Sequence, residues 1–272
     1  MTFGIIGRVI LTAFFCLFVL FLYGPTLTIV VLSFQGPDGG LTFPMNGVSL
    51  QWFTRLFETQ AVGDFGGALT RSLLLALIVM VVTVVISLAA GLAFRRRFIG
   101  SSALFMLTVA SLIIPSILVS LGIGLLFNLT GLDPAWYSSA LGAQLTWTLP
   151  FGLLIMFAVF NRFNRAWEEA ARDLGSSPWQ RFRHVVLPII APSVVGIALF
   201  GFTLSYDEFA RTLLTAGSDN TLPLEIFGMT TNVTTPVLYA LGTVTTGLSF
   251  VVIGIALVTM AALARRRADR SG

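Results

Sequence analysis

The stretch SLLLALIVMVVTVVISLAAGLAF, residues 72–94, carries no charged side chain and decides the fold class. The hydrocarbon core of a bilayer is about 30 Å thick, and a helix needs about 20 apolar residues to cross it. Over all 272 residues, 56% are hydrophobic and 10% are charged, whereas roughly 25% of the residues in an ordinary soluble domain are charged. This stretch and this composition predict an all-α membrane protein.

Five further apolar runs predict six transmembrane helices in a single transmembrane domain that covers residues 1–272. The predicted spans are 9–32, 72–94, 103–127, 138–160, 189–208 and 238–264. The first run is too long for a signal peptide and lacks a cleavage site of small residues, so we expect a retained span. Pro115 lies inside the third predicted span, where neighbouring helices in a bundle can satisfy the carbonyls that a proline leaves free.

The basic residues lie mostly on one side of these predicted spans. With the N-terminus in the cytoplasm, 13 of the 16 basic residues, all of them Arg, fall in cytoplasmic segments, and eight of the 12 acids fall on the other side. Short cytoplasmic loops are enriched in Arg and Lys, so we predict that both termini are cytoplasmic. A nucleic-acid-binding surface needs a basic stripe with interleaved aromatic residues. These Arg residues lie at span ends instead, and we expect contact with the lipid bilayer and none with nucleic acid.

Missing residue types exclude several classes of function. The sequence has no Lys, one His (His184) and one Cys (Cys16). A Walker A phosphate loop and a Schiff base both need Lys, and a His/Cys zinc site needs more ligands than these. We therefore expect no catalytic residue, metal site or cofactor in this chain. An intramembrane protease would need a catalytic dyad within the bilayer, and a secondary carrier would show internal repeats; the sequence shows neither.

The segment 161–188, NRFNRAWEEAARDLGSSPWQRFRHVVLP, is too polar to cross a bilayer and carries signals for two helices. Gly175 is typical of the left-handed residue that follows a helix. Ser177, Pro178 and Gln180 predict the cap, the first position and the capping box of a second helix, and we expect Pro188 to open the fifth span. Good helix formers fill 161–174, and one face of that helix carries Trp167, Ala170, Ala171 and Leu174. On architecture alone, an amphipathic loop that packs on the bundle fits equally well.

The same segment resembles the EAA loop of bacterial binding-protein-dependent ABC importer permeases. The family pattern is E-A-A, three residues, Gly, nine residues and I-x-L-P. Here Glu169-Ala170-Ala171 is followed at this spacing by Gly175 and by Val185-Val186-Leu187-Pro188, with Val in place of Ile. The order of the spans and the segment LSYDEF…LPLEIFGM, which begins at Leu204, are similar to permeases of the spermidine/putrescine class, most of all the second permease of the pair.

The resemblance implies a type I ABC importer permease fold in a multi-pass protein of the bacterial inner membrane. It implies that the chain is half of a translocation pathway and not an enzyme. Its partners would be a second permease subunit, either a paralogue or a copy of this chain, a periplasmic solute-binding protein and an ABC ATPase dimer that holds ATP and Mg. The loop 161–188 would be the coupling loop that docks on the ATPase, through Glu169, Ala170, Ala171, Arg172, Gly175, Pro178, Leu187 and Pro188.

Candidate residues of the translocation pathway lie after the fifth predicted span and within the third: Tyr206, Asp207, Glu208, Pro115 and Ser116. Adjacent acids at a membrane boundary suit a cation pathway when they face a bundle interior. The alternative is that they only cap the span, paired with Arg211 at i+3 or i+4. The resemblance implies a polyamine solute. Polyamine permeases usually place an acid directly after the proline, where this chain has Ser116, so ferric iron, thiamine, a phosphonate or an amino-acid-derived solute also fit.

Overall fold

The structure is a computed structural model that describes residues 5–58, 63–96, 98–232 and 235–271. Within these residues the regular structure is helical, apart from one isolated antiparallel bridge between Gln35 and Val48. The α-helices in chain order are α1 (Ile5–Leu32), α2 (Gln51–Arg55), α3 (Phe65–Phe94), α4 (Ser101–Ala110), α5 (Ser116–Thr130), α6 (Leu141–Arg162), α7 (Ala166–Asp173), α8 (Pro178–Arg181), α9 (Leu187–Tyr206), α10 (Leu222–Asn232) and α11 (Val237–Ser271). The prediction of an all-α protein is confirmed over this part of the chain.

Five helical segments in the described ranges are long and apolar enough to cross a membrane: Ile6–Leu32, Phe65–Phe94, Trp136–Arg162, Pro178–Tyr206 and Val237–Thr259. They correspond to the first, second, fourth, fifth and sixth predicted spans. The fourth begins with a π-helical turn, Trp136–Ala140, that continues into α6. The cytoplasmic placement of both termini stays a prediction.

The third predicted span, 103–127, is not one helix. It is divided between α4 and α5, which have 10 and 15 residues. At about 1.5 Å per residue, each is shorter than the ~30 Å core of a bilayer. The cause is Pro115, because proline has no N–H and disfavours helical backbone at the residue before it. Pro115 has φ −56° and ψ 132° and precedes α5 as its cap. The count of six crossings therefore stays a prediction.

The chain forms two compact units, one from residues 1–65 with 226–248 and one from 66–225 with 249–272. The prediction of a single domain over 1–272 stays a prediction. In the first unit, the segment after α1 folds around the buried side chain of Gln35. Gln35 Oε1 accepts from the Asn46 N–H at 2.8 Å, and its backbone carbonyl accepts from Trp52 Nε1 at 2.6 Å. Tyr239 Oη also donates to the Leu41 carbonyl at 2.5 Å.

In the second unit, α6 and α9 form the main helix pair. Glycine lets α3 approach α6 closely: a Cβ on Gly152 would lie 2.1 Å from Ser87 Oγ, and a Cβ on Gly91 would lie 2.7 Å from the Met156 Cβ. Small residues allow this kind of close packing between membrane helices. The buried core around the pair contains Met156, Val186, Ile190 and Ile197. The coupling loop connects α6 to α9, and α9 ends at Tyr206, so this pair positions both segments that the sequence marks as functional.

Candidate functional site

The coupling loop contains a short exposed helix, α7, and not one helix over 161–174. The span helix α6 continues through Arg162, Phe163 takes an extended conformation, and α7 begins at Ala166. Asn164 Oδ1 accepts a hydrogen bond from the Ala166 N–H at 3.0 Å. A short polar side chain at this place satisfies a backbone donor that the first turn of a helix leaves unpaired. This local hydrogen bond explains why α7 starts later than predicted.

The C-terminal end of α7 matches the prediction for Gly175, which has a φ of +80°. The Gly175 N–H donates to the Arg172 carbonyl at 2.8 Å, and the Ser176 N–H donates to the Ala171 carbonyl at 3.1 Å. These two bonds form the Schellman motif that turns a chain away from its helix. A Cβ at Gly175 would meet no atom within 4 Å. The backbone conformation, and not a lack of space, therefore favours glycine here.

The second helix of the loop begins at the predicted capping box. The Gln180 N–H donates to Ser177 Oγ at 3.3 Å, and the Ser177 N–H donates to Gln180 Oε1 at 2.8 Å. Pro188 lies in the first turn of α9, as expected for the start of the fifth span, but α8 and a π-helical turn, Phe182–Val186, lead directly into that helix. A single π-helical turn inside an α-helix marks a local change in the backbone hydrogen bonds, and here it comes just before Pro188, which has no N–H to donate. The loop and the fifth span are one helical segment from Pro178 to Tyr206.

An ion pair fastens α7 to the end of α3. Arg95 Nη1 donates to Glu168 Oε1 at 3.1 Å, and Arg95 Nη2 donates to Glu168 Oε2. The Arg95 guanidinium also lies 5.2 Å from the ring centroids of Phe160 and Phe163. The hydrogen bond from Arg95 lowers the pKa of Glu168 below its usual range. No local pattern points to this pair, since the sequence presents Arg95 only as one of many cytoplasmic charges.

Large apolar side chains of the coupling loop are exposed. Trp167, Leu174 and Trp179 are 62%, 89% and 64% exposed. We call these three side chains the coupling surface. Exposed apolar groups clustered in a polar segment are typical of surfaces that bind another protein. Their exposure argues against the alternative in which this loop only packs on its own bundle.

Two of the predicted pathway residues, Ser116 and Glu208, meet at the buried side chain of Arg211. Arg211 Nη1 donates to Ser116 Oγ at 2.7 Å and lies 3.9 Å from Glu208 Oε2. The Arg211 backbone N–H donates to Glu208 Oε1 at 2.7 Å. Glu208 therefore pairs with Arg211 at i+3, as in the alternative in which these acids only cap the span. Both side chains are buried.

Two side chains of α6 complete the site around Arg211. Arg211 Nε donates to Thr146 Oγ1 at 3.2 Å, and the guanidinium carbon lies 4.7 Å from the centroid of the Trp147 ring. A cation over an aromatic face is electrostatically favoured. We call Ser116, Thr146, Trp147, Glu208 and Arg211 the Arg211 network. Because Glu208 and Arg211 compensate each other, the network buries no lone charge.

The remaining pathway candidates lie beside this network. Asp207 follows the last residue of α9 and is exposed. Tyr206 is buried, stacks on Phe202 with ring centroids 6.0 Å apart, and its hydroxyl has no partner among the described residues. Pro115 caps α5 and so places Ser116 against Arg211. In the same described ranges, no group of three His, Cys, Asp or Glu side chains is placed to hold a metal ion.

One protein family matches the part of the chain that holds the coupling loop and the Arg211 network. Residues 84–270 match the family described as binding-protein-dependent transport system inner membrane component. The matched range contains the coupling loop and the whole Arg211 network.

The chain is also similar to individual proteins over most of its length. The spermidine/putrescine transport system permease protein PotC of Haemophilus influenzae is 30% identical over 249 residues, which cover 91% of this chain and 93% of that relative. PotC of Escherichia coli is 28% identical over 250 residues, covering 91% and 92%. The crystal structure of a bacterial ABC transporter involved in the import of the acidic polysaccharide alginate matches with a TM-score of 0.67 at 15% identity, covering 98% of this chain and 99% of that chain. At 15% identity, the similarity to the alginate transporter shows a shared fold and nothing more.

Proposed function

Because this chain belongs to the binding-protein-dependent transport system inner membrane components, we propose that it forms half of the translocation pathway for a polyamine-like solute. The chain is a multi-pass permease subunit of an ABC importer, with the helical fold of type I importer permeases. It is a transport subunit and not an enzyme, and ATP hydrolysis belongs to a partner subunit. The observation that carries the coupling role is the exposed loop in which E-A-A precedes the Gly175 turn.

The coupling loop docks on the partner ATPase. The coupling surface offers apolar area, and the two alanines Ala170 and Ala171 allow a close approach to another backbone. The exposed side chains of Glu169 and Arg172 can add charge-assisted hydrogen bonds to the ATPase. The continuous helix from Pro178 supports this role, because movement of the loop reaches α9 without a flexible joint. The proposed coupling residues are Glu169, Ala170, Ala171, Arg172, Gly175, Pro178, Leu187 and Pro188.

Several subunits complete the importer. An ABC ATPase dimer binds ATP and Mg, while this chain needs no cofactor of its own. A periplasmic binding protein delivers the solute, and the description of the family as binding-protein-dependent supports this step of the proposal. A second permease, a paralogue of this chain, supplies the other half of the pathway, and the assembly lies in the bacterial inner membrane.

A polyamine-like solute is supported by the names of the two relatives, which are spermidine/putrescine permeases. The fold does not determine the charge of the solute, because the similarly folded importer transports an acidic polysaccharide. Asp207 is exposed at the end of α9, whereas the carboxylate of Glu208 is compensated by Arg211. Asp207 is therefore the proposed carboxylate that attracts a cationic solute. Ferric iron, thiamine, a phosphonate and an amino-acid-derived solute are the alternatives.

Two measurements test the solute. In the first, the binding protein encoded beside this chain is heated with spermidine, putrescine or one of the alternative solutes, and a polyamine is expected to raise its melting temperature. In the second, the complete importer in liposomes is expected to take up labelled polyamine only with ATP and with a hydrolysis-competent ATPase. Uptake of an alternative solute without uptake of polyamines would overturn the proposed substrate while leaving the importer role intact.

A further inference from the structure

A cavity of about 770 Å³ opens between the end of α3 and the helices α7 and α8. Its lining has five arginines and two glutamates and so carries a net charge of +3. The five arginines are Arg95, Arg96, Arg165, Arg172 and Arg181. This is a large excess of positive charge for one concave surface.

The ion pair described above uses only a small part of this positive charge. Arg95 is compensated by Glu168, and Arg165 Nη2 donates to the Arg95 carbonyl at 2.9 Å. The side chains of Arg96, Arg172 and Arg181 make no hydrogen bond or ion pair within the described residues. Since Arg172 is proposed to contact the ATPase, the guanidinium groups of Arg96 and Arg181 are the two with unused donors in this cavity, and an anion bound there would reduce the repulsion among its arginines.

We propose that this cavity binds a phosphate-bearing anion. The planar guanidinium group matches phosphate oxygens with two parallel hydrogen bonds. Several such groups around one cavity are the arrangement that recognises a phosphate in preference to a single carboxylate. The site goes beyond the proposed transport function, because anion binding is measurable without any transported solute.

The position of the cavity favours the headgroup of an anionic phospholipid as the source of the phosphate. Arg95 and Arg96 follow Phe94, the last residue of the span helix α3, so the cavity lies at the end of a span. Leu92 and Val186 add apolar surface to the same lining. Basic pockets between membrane helices on the cytoplasmic side bind anionic headgroups. A soluble phosphate ion is the other source of the same chemistry.

A matched pair of double variants tests the site in the complete importer. R96Q/R181Q removes two cavity arginines, whereas R162Q/R183Q removes two exposed arginines that do not line the cavity. Each purified protein is titrated with phosphatidylglycerol, with phosphatidylcholine and with inorganic phosphate, and its melting temperature is recorded. Native mass spectrometry counts the lipids that stay bound. R96Q/R181Q is expected to weaken anion binding by about tenfold or more, while the control double variant binds like the wild type.

The titrations with phosphatidylglycerol and with inorganic phosphate distinguish a lipid headgroup from a soluble phosphate ion. If only phosphatidylglycerol raises the melting temperature of the wild type, and R96Q/R181Q loses this effect, the ligand is a lipid headgroup. If inorganic phosphate raises the melting temperature of the wild type but not of R96Q/R181Q, the ligand is a soluble anion. The proposal would be overturned if neither phosphatidylglycerol nor inorganic phosphate stabilised the wild type. It would also be overturned if R96Q/R181Q and R162Q/R183Q changed anion binding equally. Should R96Q/R181Q fail to fold, the single variant R96Q is expected to weaken anion binding about fivefold, and R96K, which keeps the charge but not the planar guanidinium, is expected to weaken it less than R96Q does.

Discussion

Arg95 and Glu168 lie 73 positions apart in the sequence and form a bidentate ion pair between the end of α3 and the coupling helix α7. Their side chains are 16% and 24% exposed, so water screens this pair less than a fully exposed one. The pair links the loop that we propose to dock on the ATPase to a span helix of the same unit.

Replacing Glu168 with Gln is expected to loosen α7. The variant loses a charge-assisted pair worth roughly 1 kcal/mol in this partly exposed setting. Hydrogen exchange of the α7 amides at neutral pH should then become about fivefold faster. Asp173→Asn, on the same helix and exposed, serves as the control and should leave the exchange unchanged. Equal acceleration in both variants would show that the ion pair is not the cause.

The Arg95–Glu168 pair is also expected to weaken in acid. The pKa of Glu168 is lowered from its ordinary value of 4.5 in the folded protein. Its contribution to stability is therefore complete above the unfolded pKa and is lost as the pH falls through the folded pKa. The difference in α7 exchange between wild type and E168Q, corrected for intrinsic exchange rates, should be full near neutral pH and disappear in acid. A difference that grows on acidification would contradict the lowered pKa.

Replacing Gly175 with Val is expected to separate the permease from its ATPase. A β-branched residue in the left-handed conformation costs about 1–2 kcal/mol or more, so the Schellman turn should open and displace α7. Gly175→Asn is the matched control, because Asn tolerates this conformation better and the position has free space. Co-purification of the ATPase and uptake into liposomes give the readouts. Normal assembly and transport by the Val variant would disprove the proposed role of the turn.

Removing Arg211 is expected to destabilise the second unit strongly. Arg211→Met leaves the buried carboxylate of Glu208 without its partner, a change that typically costs 3–5 kcal/mol. The double variant R211M/E208Q removes both charges and should recover a large part of the lost thermal stability. Melting temperatures of the purified importer measure both effects. If the double variant were as unstable as the two single changes added together, the uncompensated charge would not be the reason.

Replacing Asp207 with Asn is expected to reduce uptake of a polyamine without reducing stability. The exposed carboxylate attracts a cation through an interaction that salt screens. The uptake rate of D207N should therefore be several-fold lower than that of the wild type at low salt, and the difference should shrink at high ionic strength. Asp219→Asn is the control, because Asp219 is also exposed and lies further along the same connection. Initial rates of spermidine uptake measure the effect. Unchanged rates in the Asp207 variant would remove this residue from the pathway.

Part of this architecture follows from short stretches of sequence. The Gly175 turn and the Ser177–Gln180 capping box form as predicted, because each depends on hydrogen bonds between residues only a few positions apart. The two prolines that the sequence marked have different effects. Pro115 divides the third predicted span, whereas Pro188, in the first turn of α9, does not interrupt the helical segment Pro178–Tyr206. The same residue type has opposite effects because the neighbouring backbone, and not proline alone, decides whether a helix continues.

The sequence by itself determined a helical membrane protein and the Gly175 turn and Ser177–Gln180 capping box of its coupling loop, because apolar runs and capping residues act along the chain. The tertiary structure alone decided that Arg95 meets Glu168 and that Arg211 meets Ser116, the latter across 95 positions. The pairing of an acid with Arg211 at i+3 is a local alternative that the sequence offers, and the structure decided that Glu208 makes it while Asp207 stays exposed. The physical reason is that such contacts depend on the packing of whole helices, which brings together charges that no local pattern relates.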